Sequence, residues 1–160
     1  MPMRNDPQLT AKREHDPSTV PGVLLLEDDH EMRAFLADSL RTAGYDVVEC
    51  PDAYHLLDFY LNNSVGHRAP GNVRVVISDV RMPGIDGLEL LEARRRSDPN
   101  LPTILITAFG DEHVHRKAAE LGAVAFLDKP FEIDDLLRVV AEVVGDDKPA
   151  SDDAGGWDLS

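Results

Sequence analysis

A single cysteine, Cys50, excludes an internal disulfide and any site built from several thiolates, and it fits a reducing compartment. Long apolar runs are also missing. Nothing approaches the roughly eighteen uninterrupted apolar residues of a membrane-crossing helix, so no membrane insertion is expected. Positive charge is scarce: 16 Lys and Arg face 30 Asp and Glu, for a formal net charge of −14. Such a field repels a phosphate polyanion and argues against direct DNA or RNA binding. The phosphate-cradling pattern G-x-x-x-x-G-K-[ST] does not occur, which removes a P-loop nucleotide enzyme. The first residues, Met1 to Pro21, are polar and interrupted by Pro2, Pro7 and Pro17, unlike a signal peptide.

What is present suits one domain. The chain has 160 residues, 42% of them hydrophobic, which is enough for a core. Residues 1–21 balance Arg4, Lys12 and Arg13 against Asp6, Glu14 and Asp16. Residues 145–160 set Lys148 against Asp146, Asp147, Asp152, Asp153 and Asp158, which leaves −10 of the −14 on residues 22–144. Both ends are poor in periodic apolar residues and read as disordered tails, the second acidic and carrying Trp157. The expected domain is therefore 22–144.

Within it two kinds of segment alternate. Apolar or β-branched runs predict strands at Val23–Glu27, Tyr45–Glu49, Val73–Ser78, Thr103–Ile106 and Val124–Leu127. Helical spacing predicts helices over His30–Ala43, over Ala53–Leu61 capped by Asp52, from Asp86 through Arg96, over Asp111–Leu121, and over Ile133–Val144. Gly44 and Gly122 close two of them. Strict alternation of strand and helix implies an α/β fold: a five-stranded parallel sheet, doubly wound, (βα)5, with helices on both faces. In such folds sites form beyond the carboxyl ends of the strands.

Those ends are unusual in composition. The first strand exits into Glu27-Asp28-Asp29, the third into Asp79, the fourth into Thr107, and the fifth into Asp128-Lys129-Pro130. One carboxylate at a strand end is ordinarily a helix cap. In combination, Glu27, Asp28 and Asp79 would repel one another and hold a proton or a cation. Oxygen donors without His or Cys suit a hard divalent ion, Mg2+ above all. A carboxylate beside such an ion can attack a phosphoryl group and become an aspartyl phosphate. Lys129 could add positive charge, and Thr107 could add a hydrogen bond to a phosphoryl oxygen.

The stretches V-L-L-L-E-D-D-H-E-M-R (23–33), V-V-I-S-D-V-R-M-P-G-I-D-G (75–87), I-L-I-T-A (104–108) and A-F-L-D-K-P-F (125–131) carry a resemblance. In this order and spacing the chain resembles the receiver domain of two-component response regulators over about Val23 to Val144. The resemblance implies a flavodoxin-like receiver fold and Asp79 as phosphoacceptor. It implies Mg2+ on Asp28, Asp79 and the backbone carbonyl of Arg81, with Glu27 in the acid pocket. Thr107 and Phe126 would be the switch hydroxyl and switch aromatic, Lys129 the phosphoryl-binding ammonium, and Lys129–Pro130 a cis peptide. The implied partners are a sensor histidine kinase or phosphotransfer protein and a downstream protein met through residues 111–144. The implied state is a cytoplasmic monomer or phosphorylation-dependent dimer.

Other residues read more simply. Asp29 is expected to be a solvated helix start, Met32 and Met82 packing, and Arg94-Arg95-Arg96 a solvated helix end. The two side chains that modulate dephosphorylation in the family fall at Arg81 and Phe109, and Arg81 has the alternative of pairing with a surface acid. The six His residues show no liganding pattern. Four other classes compete with this reading. A D-x-D phosphatase would need a second Asp at position 81, which is Arg81, and a flavodoxin-like cofactor binder would not place three carboxylates after its first strand. The P-loop is already excluded. A pseudo-receiver, an interaction module not controlled by phosphorylation, remains as the alternative. The chain is expected to be no enzyme beyond assisting its own phosphorylation and dephosphorylation. With 16 residues after Val144, it is expected to act as a stand-alone receiver or as part of a longer regulator.

Overall fold

The structure is a computed structural model that describes residues 20–52, 54–56, 72–97, 100–108 and 112–145. Its elements are β1 (Pro21–Leu26), α1 (His30–Thr42), β2 (Asp46–Cys50), β3 (Asn72–Asp79), α2 (Gly87–Ser97), β4 (Thr103–Ala108), α3 (Glu112–Glu120), β5 (Ala125–Lys129) and α4 (Ile133–Val144). The five strands form one parallel sheet in the order β2-β1-β3-β4-β5. The expected α/β class is therefore observed. β1 starts at Pro21, a residue assigned to the tail, because Pro21 still pairs in register with Asn72. Of the helix expected over Ala53–Leu61, Tyr54 to Leu56 are helical and Asp52 Oδ1 accepts from the His55 N–H at 2.9 Å. Its remainder, Phe109, the bulk of both tails and Trp157 lie outside the described residues.

Side-chain alternation divides the core. Val23, Leu25, Val75, Ile77, Ile104 and Ile106 point to one face, where Leu36, Ala37 and Leu40 of α1 and Leu136, Val140 and Val144 of α4 cover them. On the other face, Leu24, Leu26 and Val76 meet Leu56, Met82 and Leu90. Leu105 packs there against Leu91 of α2 and Ala118 of α3. β1 is flanked by strands on both sides and covered on both faces, so all six of its residues are buried. Edge strands β2 and β5 are mostly half-buried. Each fully buried leucine of β1 contributes about 1.5–3 kcal/mol by transfer, and Leu25→Ala would cost about 2–5 kcal/mol with its cavity.

Local chemistry sets the helix ends. Asp29 caps α1, its side chain accepting from the Met32 N–H at 2.8 Å. Gly44 ends that helix with φ 104, a conformation an L side chain resists. Asp86 and Glu89 make a reciprocal capping box at α2: Asp86 Oδ1 accepts from the Glu89 N–H at 2.8 Å, and Glu89 Oε1 from the Asp86 N–H at 3.1 Å. One expectation fails here. Arg94 is buried (5% exposed) rather than solvated, because its position on α2 faces the sheet next to Leu90 and Leu91. Arg95 and Arg96 are exposed as expected.

Candidate functional site

The carboxyl ends of β1, β3 and β5 bring four of the singled-out side chains together. Oxygens of Glu27, Asp28 and Asp79 all lie within 4.8 Å of one another. Glu27 is 1% exposed and Asp79 6%, whereas Asp28 faces solvent. Lys129 reaches into this group from β5, with Nζ 2.7 Å from Asp79 Oδ2 and 3.7 Å from Glu27 Oε1. The other oxygen of Asp79 accepts from the Arg81 backbone N–H at 3.0 Å, while the Arg81 side chain is exposed. Glu27 Oε2 accepts from the Asp29 N–H at 3.1 Å. The peptide between Lys129 and Pro130 is cis.

The electrostatics follow from this crowding. Burial above all, with the charges of Asp79 and Asp28 adding to it, pushes the Glu27 carboxyl from its ordinary 4.5 up to about 7, against the opposing Asp29 N–H and Lys129. Burial alone would lower the Lys129 ammonium, but its hydrogen bond to Asp79 and the surrounding carboxylates win and raise it. Glu27 Oε1 is buried without a hydrogen-bond partner. An orphaned carboxylate oxygen beside two further carboxylates is a donor set that fits a hard divalent cation.

The loop that presents Asp79 is held by a close approach. The Gly87 N–H donates to the Val80 carbonyl at 2.7 Å, and a Cβ on Gly87 would sit 2.8 Å from both the Asp79 carbonyl oxygen and Val80 Cα. Asp29 serves α1 as its cap, as expected.

Thr107 stands apart from this group. It is 2% exposed, and its hydroxyl donates to Asp128 Oδ1, its register partner on β5. The same oxygen lies 2.7 Å from His115 Nε2 of α3, and the His115 ring stacks on Phe126 at a centroid distance of 4.5 Å. The Thr107 hydrogen bond above all, with His115 adding to it and against the cost of desolvation, holds the Asp128 carboxyl below its usual range. Sequence reasoning gave His115 no role and Asp128 only a place at a strand exit. The available signal was parity: Phe126 and Asp128 are two apart on a strand and share a face.

Comparison with known proteins agrees with this geometry. The family model for the response regulator receiver domain matches residues 23–141. The chain is a member of that family. It is 36% identical over 129 residues to the transcriptional regulatory protein FixJ of Bradyrhizobium diazoefficiens, covering 81% of this chain and 59% of FixJ. It is 44% identical over 118 residues to the C4-dicarboxylate transport transcriptional regulatory protein DctD of Pseudomonas aeruginosa, covering 74% of this chain and 24% of DctD. The chain thus spans less than two thirds of each of these two relatives. Sporulation initiation phosphotransferase F of Bacillus subtilis is 29% identical and is covered over 89% of its length, with 74% of this chain aligned. Among solved structures, the receiver domain of Francisella response regulator 1452 superposes with a TM-score of 0.68 at 27% identity, covering 78% of this chain and 96% of that one. No helix among the described residues is long and apolar enough to cross a membrane.

Proposed function

We propose that this chain is a phosphorylation-dependent cytoplasmic switch that takes a phosphoryl group onto Asp79 from a histidine kinase or a phosphotransfer protein. The observation that carries the reading is the Asp79 carboxylate, buried beside Glu27 and Asp28 with the Lys129 ammonium on Oδ2. A carboxylate oxygen of Asp79 attacks phosphorus, the P–N bond of the donor phosphohistidine breaks, and its electron pair leaves with the imidazole nitrogen, which recovers a proton. Lys129 and the Arg81 N–H orient the nucleophile, and Lys129 then faces the added phosphoryl charge. Glu27, Asp28, Asp79 and the Arg81 carbonyl are the groups that would hold Mg2+, which supplies charge neutralisation and orientation at the phosphoryl oxygens.

Phosphorylation adds roughly −1.5 to −2 charge at Asp79. Output runs through residues 111–144, by protein–protein contact or by passing the group onward. Labelling with acetyl phosphate and Mg2+ tests the reading. Wild type labels, whereas Asp79→Asn and wild type in EDTA do not. Full labelling of Asp79→Asn overturns the assignment, and a wild type that never labels leaves the pseudo-receiver.

A further inference from the structure

We propose that Asp128 and His115 are positioning residues that compete with an incoming phosphoryl group for the single proton of the Thr107 hydroxyl. The inference rests on Asp79 being the phosphoacceptor and adds two residues to the device that reads it.

A threonine hydroxyl has one hydrogen to donate. In this structure that hydrogen goes to Asp128 Oδ1, so Thr107 cannot give it to a phosphoryl oxygen without breaking the bond to Asp128. The bond is not incidental. Thr107 and Asp128 are register partners on adjacent parallel strands, which fixes their side chains side by side on the α2/α3 face of the sheet. Asp79 and Lys129 fall by the same alternation with Ile77 and Leu127, which pack toward α1 and α4. Thr107 is therefore held on the face opposite to the phosphoryl chemistry.

His115 strengthens the hold. An ionised carboxylate only accepts, so the nitrogen 2.7 Å from Asp128 Oδ1 carries a proton and donates it. Asp128 thus gathers two donors on one oxygen, one from β4 and one from α3. The His115 ring also lies nearly parallel to Phe126, at 15° between planes, which places the aromatic under the same control. Thr107, Asp128, His115 and Phe126 form one connected unit joining β4, β5 and α3. Release of Thr107 toward Asp79 frees Asp128, loosens His115, and removes what keeps Phe126 in place. The strength of this unit sets how much of the phosphoryl group's binding is spent on opening it.

The test is the affinity for beryllofluoride with Mg2+, a phosphoryl mimic, measured by titration calorimetry on the full chain. Asp128→Ala removes the acceptor and is expected to bind about tenfold more tightly than wild type, the change that ~1.4 kcal/mol produces. Asp128→Asn retains a carbonyl acceptor and should fall between the two. In a Thr107→Val background, Asp128→Ala should bring no gain, since no hydroxyl is left to release. A merely structural role for Asp128 would not depend on Thr107. His115→Ala should raise affinity less than Asp128→Ala. Equal or weaker binding by both Asp128 variants overturns the proposal, as does a gain of the same size in the Thr107→Val background. A wild type that binds no beryllofluoride while remaining folded instead removes the assignment of Asp79, and this inference with it.

Discussion

Lys129 extends over the end of β4 to set its ammonium 2.7 Å from Asp79 Oδ2, tying the edge strand β5 to β3 two places away in the sheet. It stands among three carboxylates, and so it supplies the counter-charge of the acid group. Its side chain is 31% exposed, so solvent screens part of the attraction.

Lys129→Ala is expected to lose about 1 kcal/mol of stability in EDTA, because the buried carboxylates lose their counter-charge. Mg2+ should raise Tm more in this variant than in wild type. Labelling by acetyl phosphate should slow by tenfold or more, on the order of one charge-assisted contact. A labelling rate equal to wild type would show that the ammonium takes no part.

Mg2+ should stabilise the wild type by relieving repulsion among Glu27, Asp28 and Asp79. Linkage gives about 2.7 kcal/mol at a hundredfold excess over the dissociation constant, and less at the weak affinity expected of an exposed Asp28. Thermal melts with and without Mg2+ measure it. Asp28→Ala should abolish most of the shift, and a full shift in that variant places the ion elsewhere.

Glu27 gives the fold a pH dependence of definite sign. Its carboxyl is raised from 4.5 to about 7, so between these values the folded state binds more protons than the unfolded one. In EDTA this contribution is fully present below about pH 4.5 and is lost as pH climbs through about 7. Glu27→Gln should flatten that part of the stability curve measured by urea titration. A curve unchanged by the substitution would mean that Glu27 titrates normally.

Gly87→Ala should cost about 1–3 kcal/mol, because its Cβ would stand 2.8 Å from backbone atoms of Asp79 and Val80, which cannot swing away. The strain falls on Asp79, the proposed phosphoacceptor, so labelling should drop together with stability. Urea titration and the labelling rate check both, and a neutral result on both would mean that the loop adjusts freely.

The fold was legible because the buried strands β1, β3 and β4 carry the apolar cores Val23–Leu26, Val75–Ile77 and Ile104–Ile106, and because Asp29 and Asp86 stand where they cap helices. The acid group was legible because a parallel sheet brings its strand ends to one edge. Three things were not. Arg94 sits in an arginine run that reads as solvent-facing, and only the helix phase against Leu90 and Leu91 buries it. The bond from Thr107 to Asp128 depends on strand register, which a single sequence does not print. His115 meets Asp128 because α3 lies across β5, a placement set by the packing of Val114 and Ala118 beside Phe126.

The order β2-β1-β3-β4-β5 has a consequence for the chain as it is made. β1, made before the other four strands of this sheet, lies between two later ones and stays unpaired on one side until residues 72–79 exist. The ammonium that answers Asp79 comes 50 residues later still. A nascent or truncated product ending before β5 therefore carries the carboxylates without their cation. Such a piece is expected to hold its shape poorly, because Glu27, Asp28 and Asp79 are left to repel one another without the ammonium that balances them.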